Sequence, residues 1–147
     1  MRQIIFLDID GTLLPITENI NSITIPKKIV NIWNDFVAKI PKCEIVFETH
    51  LYETFDELKH FTNNNNLFGN FIDKTKHFSK RKGDEIQEWL SSNNINILAD
   101  KFCIFDDLSS VVFNDYQIPF HIKINYNFGI EEKDLQKALE ILKYNEY

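Results

Sequence analysis

Cysteine is scarce in this chain: Cys43 and Cys103 are the only two in 147 residues, and each lies inside an apolar run. Thiols so placed exclude a disulfide framework and a cysteine-rich zinc site, and read as buried, reduced side chains. Positive charge is also short, with 16 Lys and Arg against 22 Asp and Glu and a formal charge of -6. That excess of acid gives no broad attraction to a nucleic-acid backbone or an anionic membrane, and leaves a local basic patch as the only electrostatic route to a polyanion. Long hydrophobic runs are missing as well. The amino-terminal run is broken by Asp8 and Asp10, too early for a signal peptide or a membrane span. A cytoplasmic setting without membrane contact is therefore expected. No repeat or linker interrupts the chain.

What is present suits one core. Hydrophobic residues make up 44%, aromatics 14% and charged residues 26%, a balance that is neither disordered nor fibrous and predicts a single domain over residues 1–147. Residues 4–7 form an apolar run ending in Asp8-Ile9-Asp10-Gly11, the pattern of a strand buried on both faces that stops in a turn. A polar loop follows. Pro26 then opens a helical stretch in which Ile29, Ile32, Trp33, Phe36, Val37 and Ile40 share a face, and Pro41 closes it. Residues 44–47 read as a second buried strand. Residues 52–61 read as a helix carrying Phe55, Leu58 and Phe61, the Asn tract at 63–66 as a loop, and residues 73–82 as a polar, basic stretch. An amphipathic helix is predicted at 83–92. Residues 102–105 are again apolar and end in Asp106-Asp107, an outer strand is predicted at 120–124, and residues 131–143 close the chain as a helix. Strands alternating with helices predict a parallel sheet covered on both faces, and in such sheets ligands bind beyond the carboxyl ends of the strands.

If the three apolar strands run parallel, Asp8, Asp10, Thr49, Asp106 and Asp107 fall at one sheet edge. Carboxylates packed together repel one another and titrate upward unless a cation holds them ionised. Oxygen-only ligands favour Mg2+, and a hard dication beside carboxylates is the equipment of phosphoryl transfer.

The hexapeptide Asp8-Ile9-Asp10-Gly11-Thr12-Leu13 resembles the first motif of the haloacid dehalogenase (HAD) superfamily, DxDGT followed by an apolar residue. Thr49 after Ile45-Val46-Phe47, Lys82 ahead of a helix, and Asp106-Asp107 after a strand match its remaining motifs in order. More closely, the chain resembles the small HAD-domain family linked to Swiss army knife RNA repair proteins. That likeness rests on residues 6–15, 44–49, 82–90, 105–107 and 129–135. His50-Leu51 after Thr49, and a basic loop before Lys82, depart from the family pattern.

The resemblance implies a Rossmann-like three-layer α/β/α sandwich with a mostly parallel sheet. It also implies a magnesium-dependent phosphatase working through an aspartyl-phosphate. Asp8 would be the nucleophile, and Asp10 the general acid and base whose backbone carbonyl also touches the metal. Thr49 would bind a phosphoryl oxygen and Lys82 would neutralise developing charge. Asp106 would complete the metal shell, with Asp107 a water-mediated ligand or a support; the implied metal set is Asp8, Asp10, Asp106 and Asp107. The short Asp8–Thr49 and Thr49–Lys82 intervals imply a minimal, C0-type cap. An open site of that kind suits a phosphorylated small molecule, a nucleic-acid end or a phosphoprotein, or closure by a partner or a second copy. The alternative is a binding or regulatory module on the same fold. Lys74, Lys76, His77, Lys80, Arg81 and Lys82 either gather a polyanion or form a solvated loop.

Overall fold

The computed structural model describes residues 1–16 and 23–143; the polar loop expected before Pro26 lies partly outside these residues. Strand β1 (Gln3–Leu7) is followed by helix α1 (Lys27–Ala38), β2 (Glu44–Phe47), α2 (Phe55–Asn64) and β3 (Asn70–Lys74). Helix α3 (Lys82–Ser92), β4 (Lys101–Asp106), β5 (His121–Lys123) and α4 (Glu132–Leu142) complete the order. The five strands form one sheet in the order β3-β2-β1-β4-β5, with every pairing parallel. This is the Rossmann-like α/β arrangement expected. The strand order reverses beside β1, which opens a crevice at the carboxyl ends of β1 and β4.

Alternation along the strands sorts side chains into two cores. Ile5, Leu7, Ile45, Phe47, Cys103 and Phe105 pack under α1, α2 and α4, against Trp33, Phe36, Leu58, Phe61, Leu135 and Ala138. Ile4, Phe6, Val46, Phe102 and Ile104 face the other way, beneath Ile86, Trp89 and Leu90 of α3. Burial on both faces is why these strands are continuously apolar. Edge-to-face aromatic pairs fix the layers, Phe6 with Trp89 at 5.5 Å and Trp33 with Phe105 at 6.0 Å. Both cysteines are buried free thiols. At the amino ends of the strands, Arg2 donates two hydrogen bonds to the Glu44 carboxylate at 2.8 and 2.9 Å. Among the described residues no helix is long and apolar enough to cross a membrane.

Two expectations need correction. The stretch read as polar loop from residue 73 begins inside β3, a sheet edge where one face suffices: Phe71 stacks on Phe47 at 5.1 Å. There Asp73 accepts a hydrogen bond from the Trp89 indole at 2.8 Å. The Asn tract is not wholly loop either, since Asn63 and Asn64 belong to α2. A capping box between Thr54 and Glu57 starts that helix. At its end, the Asn65 side chain donates to the Phe61 carbonyl at 2.9 Å and Asn66 takes φ 54°, a left-handed turn that asparagine tolerates.

Candidate active site

The row of side chains facing α3 does not stop where the strands stop. It runs from Phe6 to Asp8, from Val46 to Glu48 and from Ile104 to Asp106, and Phe6 lies level with both Val46 and Ile104. Period-two alternation therefore delivers three adjacent acids to one face at one edge. All are buried: Asp8 is 4% exposed, Glu48 2% and Asp106 0%.

Helix α3 supplies the cation. Lys82 shares its inner face with Ile86, Trp89 and Leu90, so docking that face carries the lysine over the acids. Its Nζ donates to Asp106 Oδ2 at 2.6 Å and lies 3.2 Å from Asp8 Oδ1 and 3.3 Å from Glu48 Oε2. The neighbouring bases go elsewhere: Arg81 donates to the Val111 and Phe113 carbonyls, and Lys80 is exposed. Gly83 permits the docking, since a Cβ there would sit 2.8 Å from the Asn114 backbone nitrogen. The Gln117 amide donates to the Gly83 carbonyl at 2.9 Å and holds the helix start in place.

The turn after β1 is equally constrained. The Ile9 carbonyl accepts the backbone N–H groups of Thr12, Leu13 and Leu14 at 2.9–3.1 Å, while Ile9 and Leu13 are fully buried. Gly11 has φ +78°, and a Cβ there would lie 2.4 Å from Asp107 Oδ2, so glycine is what lets Asp107 approach Asp8.

Charge is unevenly shared within the cluster. Burial, then Asp106, holds the Asp8 carboxyl well above its ordinary range, and burial with Asp106 does the same to Glu48. Asp107 is raised, chiefly by burial. Burial also opposes ionisation of Asp106, but hydrogen bonding from Glu48 and the Lys82 ammonium outweighs it and keeps that carboxyl below its usual value. Burial would discharge Lys82, yet Glu48, Asp8 and Asp106 together raise it and keep it cationic.

Carboxylate oxygens of Asp8, Asp106 and Asp107 lie within 4.8 Å of one another, an all-oxygen donor set that suits a hard dication. One further feature fits a cation there: among the described residues the buried Glu48 Oε1 has no hydrogen-bond partner. Of the residues singled out from sequence, Asp8, Lys82, Asp106 and Asp107 meet at this point. Asp10 is exposed on the turn, its backbone bridged to Leu14. Thr49 is buried at the end of β2, and its hydroxyl accepts the Leu51 N–H at 3.2 Å. Glu48 was not anticipated, although aligning the three apolar strands end to end would have put it level with Asp8.

A family model for the HAD domain in Swiss Army Knife RNA repair proteins matches residues 4–135. The chain belongs to that family. No curated protein and no solved structure matches it. The matched span of this HAD domain includes every acid of the cluster, Lys82 and Thr49.

Proposed function

We propose that this HAD domain is a magnesium-dependent phosphohydrolase that cleaves a phosphomonoester through an aspartyl-phosphate on Asp8. The observation that carries the reading is the buried row of Asp8, Glu48 and Asp106 around Lys82, with Asp107 beside it. Asp8, Asp106, Asp107 and the Asp10 backbone carbonyl would hold the ion, which offsets phosphate charge and keeps an anionic nucleophile ionised.

Asp8 then attacks phosphorus while Asp10, exposed on the turn and able to reach a substrate outside the cluster, protonates the departing oxygen. Asp10 next takes a proton from the water that opens the aspartyl-phosphate. Lys82 stays charged throughout and balances the oxygens of the transferring group. Thr49 donates its hydroxyl proton to one of those oxygens. Among the described residues, the connections from β1 to β2 and from β2 to α3 carry α1, α2 and β3 as their regular elements, which supports a minimal cap and an open site. A terminal phosphate on a nucleotide or nucleic-acid strand would fit such a site in a cytoplasmic setting, and the family's tie to RNA repair favours an RNA end.

The test is phosphate release from a generic phosphomonoester and from 5′- and 3′-phosphorylated oligonucleotides, with and without Mg2+, in the native chain and in Asp8→Asn. Mg2+-dependent release that disappears in Asp8→Asn is expected. Absence of release on every substrate, from a folded protein that binds Mg2+, would refute the enzymatic reading and leave the binding-module alternative.

A further inference from the structure

His50 directly follows Thr49, and His77 lies in the basic loop before α3. They are far apart in sequence, yet their rings are 3.5 Å apart between centroids. Both turn a nitrogen toward one carboxylate, that of Glu85, which lies on α3 nearly a turn beyond Lys82. His50 Nε2 is 2.9 Å from Glu85 Oε1, and His77 Nδ1 is 3.2 Å from Oε2. Glu85 is 2% exposed, and the Phe78 backbone N–H donates to its Oε2 at 2.7 Å. Although burial opposes ionisation, these hydrogen bonds hold Glu85 below its ordinary value, as a fixed anion.

A plain ion pair explains this arrangement poorly. A carboxylate accepts from two imidazoles, but two imidazolium rings at stacking distance repel each other, and two neutral ones make no ion pair. The histidine side chains are 40% and 59% exposed, and exposed pairs contribute little to stability. The spacing is also that of a coordination shell. Two ligands about 2.0–2.1 Å from one ion, at angles between square and tetrahedral, stand about 2.9–3.4 Å apart. With hydrogen on His50 Nδ1 and His77 Nε2, the two nitrogens nearest Glu85 carry the lone pairs that an ion needs. The three ligand atoms lie within 4.8 Å of one another.

We propose that His50, His77 and Glu85 form a three-ligand site for a zinc-class divalent ion, separate from the strand-end acids. Two imidazole nitrogens and one carboxylate suit Zn2+, whereas the all-oxygen set around Asp8 suits Mg2+, so the two sites select different ions. The two histidines, with Thr49, Lys74 and Lys76, also line a cleft of about 750 Å³. A fourth coordination position left open toward that cleft takes water or an oxygen donor of the substrate. The bound ion ties the segment after β2 to the loop before α3, next to the candidate active site.

The experiment is Zn2+ titration of the chelator-stripped protein against a chromophoric competitor, with Mg2+ in millimolar excess. Native chain, His50→Ala, His77→Ala and Asp106→Asn are compared, each checked for folding by circular dichroism. Both histidines are surface residues, so their replacement leaves the core intact. The native chain and Asp106→Asn should bind one Zn2+ each, and each histidine variant should bind at least about 100-fold more weakly, beyond the 10–100-fold cost of losing a supporting group. Co2+ should give a visible absorption band in the native chain that both histidine variants lose. Undiminished binding in the histidine variants, loss of binding in Asp106→Asn, or no Zn2+ on the folded native chain would each overturn the proposal, and none depends on phosphatase activity.

Discussion

Replacing Lys82 by methionine keeps an unbranched side chain of similar length and removes what is, among the described residues, the only cation in contact with Asp8, Glu48 and Asp106. The lysine side chain is 13% exposed and the acids 6%, 2% and 0%, so solvent screens these contacts little. Breaking a buried ion pair by removing one partner costs about 3–5 kcal/mol. With a urea m-value of about 2 kcal/mol/M, the unfolding midpoint of the metal-free protein should fall by about 1.5–2.5 M at pH 8. The loss should be smaller at low pH, and the sign follows from the acids. Asp8 and Glu48 have folded pKa values above their ordinary 3.8 and 4.5. Their contribution to stability is complete below those values and declines as pH rises through the raised ones. Without Lys82 they rise further, so their protonation at low pH offsets part of the loss and the lysine is missed least there. Lys82 itself, raised above 10.5, stays charged throughout and gives up its contribution only above that value. Urea denaturation of native and Lys82→Met protein at pH 4, 6 and 8, in chelator, reads this directly. Equal midpoints at pH 8, or a gap that does not grow with pH, would refute the reasoning.

Glu48→Gln should flatten the fall in stability of the metal-free protein as pH rises above 4.5, because it keeps the shape of the protonated acid and removes its titration; thermal melts at rising pH check it. Gly11→Ala forces a side chain into φ +78° and against Asp107, and should cost about 1–3 kcal/mol of stability while weakening Mg2+ binding measured by calorimetry. Mg2+ binding at pH 7 should release protons, since it returns raised carboxyls to the ionised state; the observed binding enthalpy should vary with the buffer's ionisation enthalpy, and an enthalpy independent of buffer would contradict this.

The strands of the central sheet and the acids after them were legible because the signal is local: an apolar run followed by Asp-x-Asp or Asp-Asp needs no knowledge of neighbours. The sequence left Lys80, Arg81 and Lys82 as rivals, and it is the docked face of α3, shared with Ile86 and Trp89-Leu90, that brings Lys82 to the acids. Glu48 escaped because a single acid at the end of a short apolar run looks like ordinary strand-end polarity, and only the register of β2 against β1 shows that it points at Lys82. Strand β3 escaped because an edge strand with one buried side chain has no apolar run to announce it. The pairing of His50 with His77 escaped because it depends on β3 lying beside β2, which brings together segments that α2 separates in the chain.

The electrostatics of the site also explain why a metal requirement would follow from the chain itself. Asp8, Glu48 and Asp106 with Lys82 would carry three negative charges and one positive if all were ionised, a net of -2 in a buried volume. Asp107 adds to the deficit. In the metal-free protein that imbalance favours protonation, most of all of Asp8 and Glu48, whose carboxyls are held well above their ordinary range, while hydrogen bonding from Glu48 and Lys82 holds Asp106 below its own. The carboxyl proposed as nucleophile is thus harder to ionise when the charge of the cluster is not offset. A second positive charge from Lys80 or Arg81 would offset it permanently, but Lys80 is exposed and Arg81 is bound to the carbonyls of Val111 and Phe113. The chain therefore supplies one cation where the acids call for more, and couples the ionisation of Asp8 to whatever cation completes the balance.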